Sequence, residues 1–395
     1  MNHPLAESRL RRLVDPFVQF ARMEASSGMV LMACAVMALG WANSQWSDSY
    51  FAFWRSTVTL GAGAVSLSQS LEHWINDGLM ALFFFLVGLE IKRELLTGEL
   101  AGRKKAALPV AAALGGMLVP AGIYASLNWQ GLGVRGWSIP MATDIAFSLG
   151  VLALLGKRVP LPLKVFLTAL AIVDDLGAVL VIALFYSTGL SLLHLVLAAV
   201  IGAAAWIFGR FRGRSSLVFA LLGLALWFVV LRSGIHATIA GVVLALTIPA
   251  GPEENPPMVR WASALHPWVS FFIMPVFALA NAGLVVEGTL LESLANPIAS
   301  GIIAGLVVGK PLGIALFSWL SVRSGLAELP RDANWRHIFG IGCVGGIGFT
   351  MSLFVAGLAF PTAGNLDIAK AGILSGSLAA ALIGWAWLWR SLRKV

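Results

Sequence analysis

Residues 165–193 read VFLTALAIVDDLGAVLVIALFYSTGLSLL, and the only charges in that stretch are the adjacent carboxylates of Asp174 and Asp175. The stretch is long enough to cross a bilayer, because a helix of about 20 apolar residues spans the hydrocarbon layer. An ionisable side chain at that depth costs about 2.5–3.5 kcal/mol even on a lenient insertion scale, and two adjacent like charges also repel. Packing a helix rewards neither. The pair points to work on cations or protons, and the groups that offset its cost must lie elsewhere in the chain.

Working outward, 58% of the 395 residues are hydrophobic and 12% charged, with a mean hydropathy of +0.86. No water-soluble core encloses that much apolar side chain, so the chain reads as an all-α polytopic membrane protein. Apolar runs of spanning length place twelve transmembrane helices near 25–44, 72–91, 106–127, 138–156, 162–186, 190–209, 215–231, 234–250, 267–286, 298–322, 337–358 and 366–389. The basic residues test this count, since cytoplasmic loops hold an excess of Lys and Arg. With a cytoplasmic N-terminus the inner face collects nearly all of them, from Arg9 through Lys92, Arg93, Lys104 and Arg210 to Arg331 and Lys394. The outer face keeps Arg55, Arg135 and Arg232, while Lys310 and Lys370 fall within spans. Both termini are then cytoplasmic. The net charge of +8 is accounted for by topology, and no nucleic-acid partner is read from it.

The polar, basic start followed by a full-length apolar segment argues against a cleaved signal peptide. Cys34 and Cys343 both fall in spans and read as small apolar residues. No cofactor is called for. Connections are short, so 1–395 reads as a single integral membrane domain rather than an anchor carrying a soluble enzyme. The longest outer connection, about 45–70, has the β-favouring runs Thr57–Leu60 and Val65–Leu67 flanking Gly61-Ala62-Gly63, which suggests a hairpin between the first two helices. Such a hairpin can pair with a second copy, or it can lie as an ordered loop over the helix ends.

Two segments carry helix breakers. In the fourth, Pro140 precedes Thr143 and Asp144; in the eleventh, Gly345, Gly346 and Gly348 precede Thr350. Discontinuous helices are tolerated at membrane depth where the freed backbone lines a cavity, and transporters place ion sites at their dipolar half-helix ends. Segments 3–5 and 10–12 cross in opposite senses, as an inverted repeat with matching breaks would. Segment 10 adds Gly301, Gly305, Gly309 and Gly313 at four-residue spacing, a ridge on which another helix can approach closely. Lys310 lies beside that ridge.

Asp77, Asp144, Asp174, Asp175, Lys310 and His236 are thus the ionisable groups at membrane depth. A lone polar residue there is commonly a satisfied interhelical hydrogen bond, the bland reading for His236. Four carboxylates and a lysine are harder to dismiss. Consecutive helical residues point about 100° apart, so one aspartate of the pair can face Lys310 and the other the broken fourth segment near Thr143 and Asp144. The negative charge of Asp144 would offset amide groups exposed at the helix ends. Burial and a neighbouring like charge both favour the neutral form of a carboxylate. A hard cation such as sodium entering between the aspartates favours the charged forms, so ion and proton compete for one site. Coupled groups can release more than one proton per cation.

The runs WINDGLMALFFFLVGLEIKREL (74–95), ATDIAFSLG (142–150), VDDLGA (173–178), SGIHATIAG (233–241), HPWVSFFIMPVFALANAG (266–283), GKPLGI (309–314) and GGIGFTMSLF (345–354) resemble bacterial sodium/proton antiporters of the NhaA type. The broken-helix rule was itself drawn in part from this family, so its agreement adds no independent weight. The resemblance spans nearly the whole chain. It implies sodium or lithium held at Asp174 and Asp175, Asp174 as the partner of Lys310, and Thr143 and Asp144 at the crossing of two unwound helices. It further implies an inner-membrane homodimer held partly by the outer hairpin. Glu90, Arg93, Glu94 and His266 match the family's cytoplasmic entrance and pH-response region, against the plainer alternative of local ion pairs at a helix end. The chain departs from some members there, with Ala262 and Ser263 where they have an acid and a second histidine.

Three other classes are weighed. An intramembrane aspartyl protease needs aspartates on separate helices and a GxGD run, which this chain lacks. A passive channel is disfavoured by a lysine among the carboxylates. A sodium-coupled symporter of organic solutes is the main alternative and requires a larger substrate cavity.

Overall fold

A computed structural model describes residues 26–61, 66–211, 215–251, 256–285, 290–361 and 363–392. The basic N-terminal stretch, Arg212 and Arg214, the hairpin turn at 62–65 and the last three residues lie outside the described residues. Among the described residues, seven helices are long and apolar enough to cross a membrane, and up to ten if each of three bent pairs counts as one span. The seven comprise α3 (Leu71–Thr97), α4 (Arg103–Leu127), α6 (Leu161–Phe185), α7 (Leu192–Arg210), α10 (Pro257–Asn281), α12 (Pro297–Arg323) and α15 (Ala363–Ser391). The first bent pair is α1 (Ser26–Ala42) with α2 (Ser47–Arg55), turned by 115°. The second joins a 3₁₀ segment, Leu132–Met141, to α5 (Ile145–Leu154) at 47°, and the third joins α13 (Trp335–Gly345) to α14 (Phe349–Ala359) at 48°. The short α11 (Leu290–Ala295) precedes α12.

The seventh and eighth expected spans fall short of the full-length test. The seventh is the 16-residue α8 (Ser216–Leu231). The eighth, expected over 234–250, contains only the nine-residue α9 (Ile239–Thr247), about 14 Å long at helical rise. Its first part is taken by a turn in which Gly234 adopts φ +83°, a conformation glycine enters without steric cost. That turn pairs with the chain following α6, through Thr188 N–H to Gly234 O and Ser191 N–H to Ser233 O. The ninth segment begins ten residues before the expected 267, at Pro257 in the first turn, where its missing N–H costs nothing. His266 therefore sits inside α10. A wide π turn over Val269–Ile273 follows Pro267, where that proline's lost hydrogen bond would interrupt regular α geometry.

The small sheet pairs β1 (Thr57–Leu60) antiparallel to β2 (Leu67–Ser70), with Thr57 opposite Ser70 and Leu60 opposite Leu67. The second strand thus lies later than the expected 65–67. Trp74 Nε1–H donates to Val58 O at 3.0 Å, tying the hairpin to α3.

Close backbone contact places the interior helices. The glycine ridge of α12 seats α4: a Cβ at Gly309 would lie 2.8 Å from Pro120 Cα, and one at Gly305 would lie 2.6 Å from Pro140 Cβ. α12 thereby lies against both α4 and the 3₁₀ segment, with Lys310 turned towards the break. Buried apolar residues such as Leu31, Phe84, Leu167, Leu170, Phe277 and Phe354 form the principal core around the two broken pairs. A second cluster, including Phe85, Phe219 and Leu244, joins α3 to α7, α8 and α9.

Candidate ion site at the crossed breaks

Ala142, Thr143 and Asp144 carry the chain from the 3₁₀ segment into α5, while Gly346, Ile347 and Gly348 carry it from α13 into α14. The two breaks touch through their backbones, with Asp144 N–H donating to Ile347 O at 2.7 Å. The last carbonyls of α13 lie beyond its regular ladder; the N–H groups of Gly346 and Ile347 serve Gly342, Cys343 and Val344, and side chains from across the crossing add further donors. Ser148 Oγ–H reaches Val344 O at 3.1 Å, and Thr143 Oγ1 lies 2.8 Å from Gly345 O. Gly348 permits this approach, because a Cβ there would lie 3.1 Å from Ala142 O.

Asp144 serves two helix starts at once. Its Oδ1 accepts from Phe147 N–H at 3.0 Å, capping α5. Its Oδ2 accepts from Thr350 N–H at 3.1 Å and from the Thr350 hydroxyl in the first turn of α14. One negative charge therefore faces the positive ends of two helix dipoles. The opposite charge compensates the other polarity: Lys310 Nζ donates to Met141 O, at the end of the 3₁₀ segment, and to Asp174 Oδ2. Lys310 is 0% exposed and both aspartates of the pair 1%. A buried ion pair of this kind is tolerated when further hydrogen bonds satisfy its members, and Met141 O and Thr143 supply them.

Thr143 Oγ1 is 2.7 Å from Asp174 Oδ2 as well as near Gly345 O, and its single proton serves one acceptor at a time. Its hydroxyl thus contacts Asp174, while Thr143 also lines the cavity onto which Asp175 opens. Among the described residues, neither Asp174 Oδ1 nor Asp175 Oδ1 finds a hydrogen-bond donor. Two buried carboxylate oxygens without donors are costly as they stand and are suited to a cation or a proton. Asp175 opens onto a cavity of about 60 Å³, also lined by Glu90, Thr143, Asp144, His266 and Ser270. That volume holds an ion with about one or two waters, at ~30 Å³ per water.

The remaining candidates divide. Glu90 and His266 reach the small cavity. Arg93 and Glu94 lie about one turn beyond Glu90 and pair with each other at 3.7 Å; Glu94 Oε2 also accepts from Glu99 N–H at 2.9 Å. Asp77 and His236 stand apart from the aspartate pair and meet each other, Asp77 Oδ1 lying 3.4 Å from His236 Nε2. They line a separate, larger cavity of about 560 Å³. The ring of His236 packs edge-on against Phe354 at 5.3 Å. Unforeseen in the sequence were the carbonyls of Met141, Gly345 and Ile347, which any residue type supplies. Ser148 and Ser270 had a usable signal, each lying four positions after Asp144 or His266 and so on the same helix face.

Multiple apolar helices around two crossed breaks and a buried charged cluster define an integral membrane protein of the broken-helix transporter class. Residues 18–388 match the family model described as Na+/H+ antiporter 1, and the chain belongs to that family. It is 47% identical to the Na(+)/H(+) antiporter NhaA of Oleidesulfovibrio alaskensis, over 96% of this chain and 95% of that protein. It is 49% identical to the Na(+)/H(+) antiporter NhaA of Rhodospirillum rubrum, over 96% and 98%. The corresponding protein of Shewanella pealeana is also 49% identical, over 93% and 95%.

Proposed function

We propose that this protein is a secondary antiporter, not an enzyme, exchanging intracellular sodium or lithium for external protons across the bacterial cytoplasmic membrane. The observation that carries this reading is the pair of buried aspartates whose Oδ1 atoms lack donors, one of them opening onto a cavity of about 60 Å³. In this mechanism the cation enters beside Asp175 and is held by carboxylate and hydroxyl oxygens from Asp175, Asp174 and Thr143. Its charge displaces the proton of Asp175. Drawing Asp174 towards the ion loosens its hold on Lys310, and either group can release a second proton. Exchange is then electrogenic, with more than one proton per cation. Asp144 keeps the two helix starts together while the ion comes and goes.

Twelve crossings, with α8 and the α9 region as the short ones, place both termini in the cytoplasm. Segments 3–5 and 10–12 form the exchanging core as inverted repeats within a single transport domain. Glu90, Arg93, Glu94 and His266 form the inner approach and pH-responsive region, while Asp77 and His236 are supporting polar groups on the outer side. The hairpin joins two copies into a homodimer. These assignments serve pH and sodium homeostasis.

A symporter of organic solutes is the weaker reading. Sites for such solutes occupy about 300–1,000 Å³, several times the cavity at Asp175. The test uses respiring inside-out vesicles, in which added sodium collapses the pH gradient if the proposal holds. Asp175→Asn is expected to abolish the response, and undiminished exchange in that variant overturns the site.

A further inference from the structure

A third cavity, of about 580 Å³, lies between the first turns of α4 and α6 and the loop at 325–331. Arg103, Lys104 and Lys105 begin α4 consecutively, with no acid in that first turn, an arrangement opposed by the helix dipole. The inward bias of basic residues accounts for the side of the membrane on which they lie, not for their gathering at one cavity. Lys104, Lys105 and Arg331 line the cavity, and among the described residues none of the three has an ion-pair partner. Its walls are apolar. Leu161, Val165, Phe166 and Ala169 form one stripe of α6 facing it, running about 12 Å along the helix from its start. Leu108 and Leu326 complete the slot, and Leu326 is 66% exposed.

Cations at a helix end above a greasy slot match one kind of occupant, a phosphodiester with hydrocarbon attached. We infer that this groove is a binding site for an anionic phospholipid, with the phosphate against Lys104, Lys105 and Arg331 and an acyl chain along Val165, Phe166 and Ala169. Basic pockets between spanning helices at the membrane surface recognise such headgroups. The orientation proposed above puts the lipid in the inner leaflet. Glu99 and Glu328 also line the groove and moderate its charge, so binding is selective for anionic lipid without being irreversible. Phe166 and Ala169 are on the helix that carries Asp174 and Asp175, and the occupied groove would wedge between the ends of that helix and α4.

The test is a thermal-shift titration of the purified full-length protein in neutral detergent, with phosphatidylglycerol, phosphatidylcholine or inorganic phosphate as the probe. Each surface cation is worth about fivefold in affinity. Phosphatidylglycerol is expected to half-saturate the shift at a concentration at least tenfold below that of phosphatidylcholine, with inorganic phosphate giving no comparable shift. Lys104→Gln with Lys105→Gln and Arg331→Gln should raise the half-saturating concentration tenfold or more. Glu99→Gln with Glu328→Gln should lower it. Equal shifts with phosphatidylcholine or inorganic phosphate overturn the inference, as does a triple variant that binds as the unaltered protein does. Should the triple variant not fold, the Glu pair decides alone, and unchanged affinity there rejects the site. The readout is lipid binding, so its outcome is independent of the exchange proposed above.

Discussion

α6 and α7 follow each other in the chain and pass the same test of apolar length, yet they occupy opposite environments. In its most apolar stretch α6 is 61% buried, whereas α7 is 6% buried. α6 has Asp174 and Asp175 at its middle, Asp174 held by Lys310 and Thr143 from other elements. α7 has only Ala205 and Gly209 buried, packs Ala198, Ile201 and Phe208 half-buried against its neighbours, and exposes most of its other side chains. Hydropathy brings both helices into the membrane but does not say which side of either faces protein. The misplaced charge says it, because only a surrounded helix can keep one.

The comparison can be broken most forcefully at the ion pair. Asp174→Asn leaves Lys310 buried without its counter-ion, an expected loss of about 3–5 kcal/mol, read as a fall in the thermal unfolding midpoint. Adding Lys310→Met to that variant should recover most of the loss; a double variant as unstable as the single one would mean that the pair is not what makes the charge tolerable. The converse change puts a charge into α7. Val200→Asp, at a position 59% exposed, should cost about 2.5–3.5 kcal/mol of insertion and lower the yield of membrane-integrated protein, while Val200→Leu leaves that yield unchanged. A smaller effect tests what lets α12 bring Lys310 to α6. Gly309→Ala introduces a Cβ 2.8 Å from Pro120 Cα and should cost about 1–3 kcal/mol as α4 and α12 move apart. The smallest expected effect is at Thr143. Thr143→Val should cost about 1 kcal/mol, one hydrogen bond, and Thr143→Ser less, both by thermal unfolding.

Much of this architecture was legible in residue pattern. The breakers at Pro140 and at Gly345, Gly346 and Gly348 mark the two bends, and the strand-forming run at 57–60 marks the hairpin. The phase of one helix against another was not legible. Sequence spacing says that Asp174 and Asp175 diverge, but which of them meets Lys310 depends on how α6 is rotated in the bundle. The resemblance supplied that pairing; geometry from the sequence left it open. The hydroxyl of Thr143 turns to Asp174 for the same reason. The short α9 was hidden because hydropathy over 234–250 does not show that the residues around Gly234 turn and pair with the chain at 188–191 instead of extending the helix. Also hidden were the π turns over Trp74–Leu79, Val269–Ile273 and Gly305–Gly309. The first contains Asp77, the second begins three residues after His266 and the third ends next to Lys310. Such insertions often accompany functional sites, and local propensity does not disclose them.

Asp144 has a mechanical consequence. A carboxylate that caps two helices is a shared bearing: α5 and α14 cannot draw apart without stripping one of them of its cap, at about 1 kcal/mol or more. Motion that opens one side of the membrane is therefore expected to carry these two half-helices together, while their distances to α4 and α12 change. Spin labels on α5 and α14 should keep one separation whether sodium is present or absent; a separation that changes with sodium would show that the bearing comes apart.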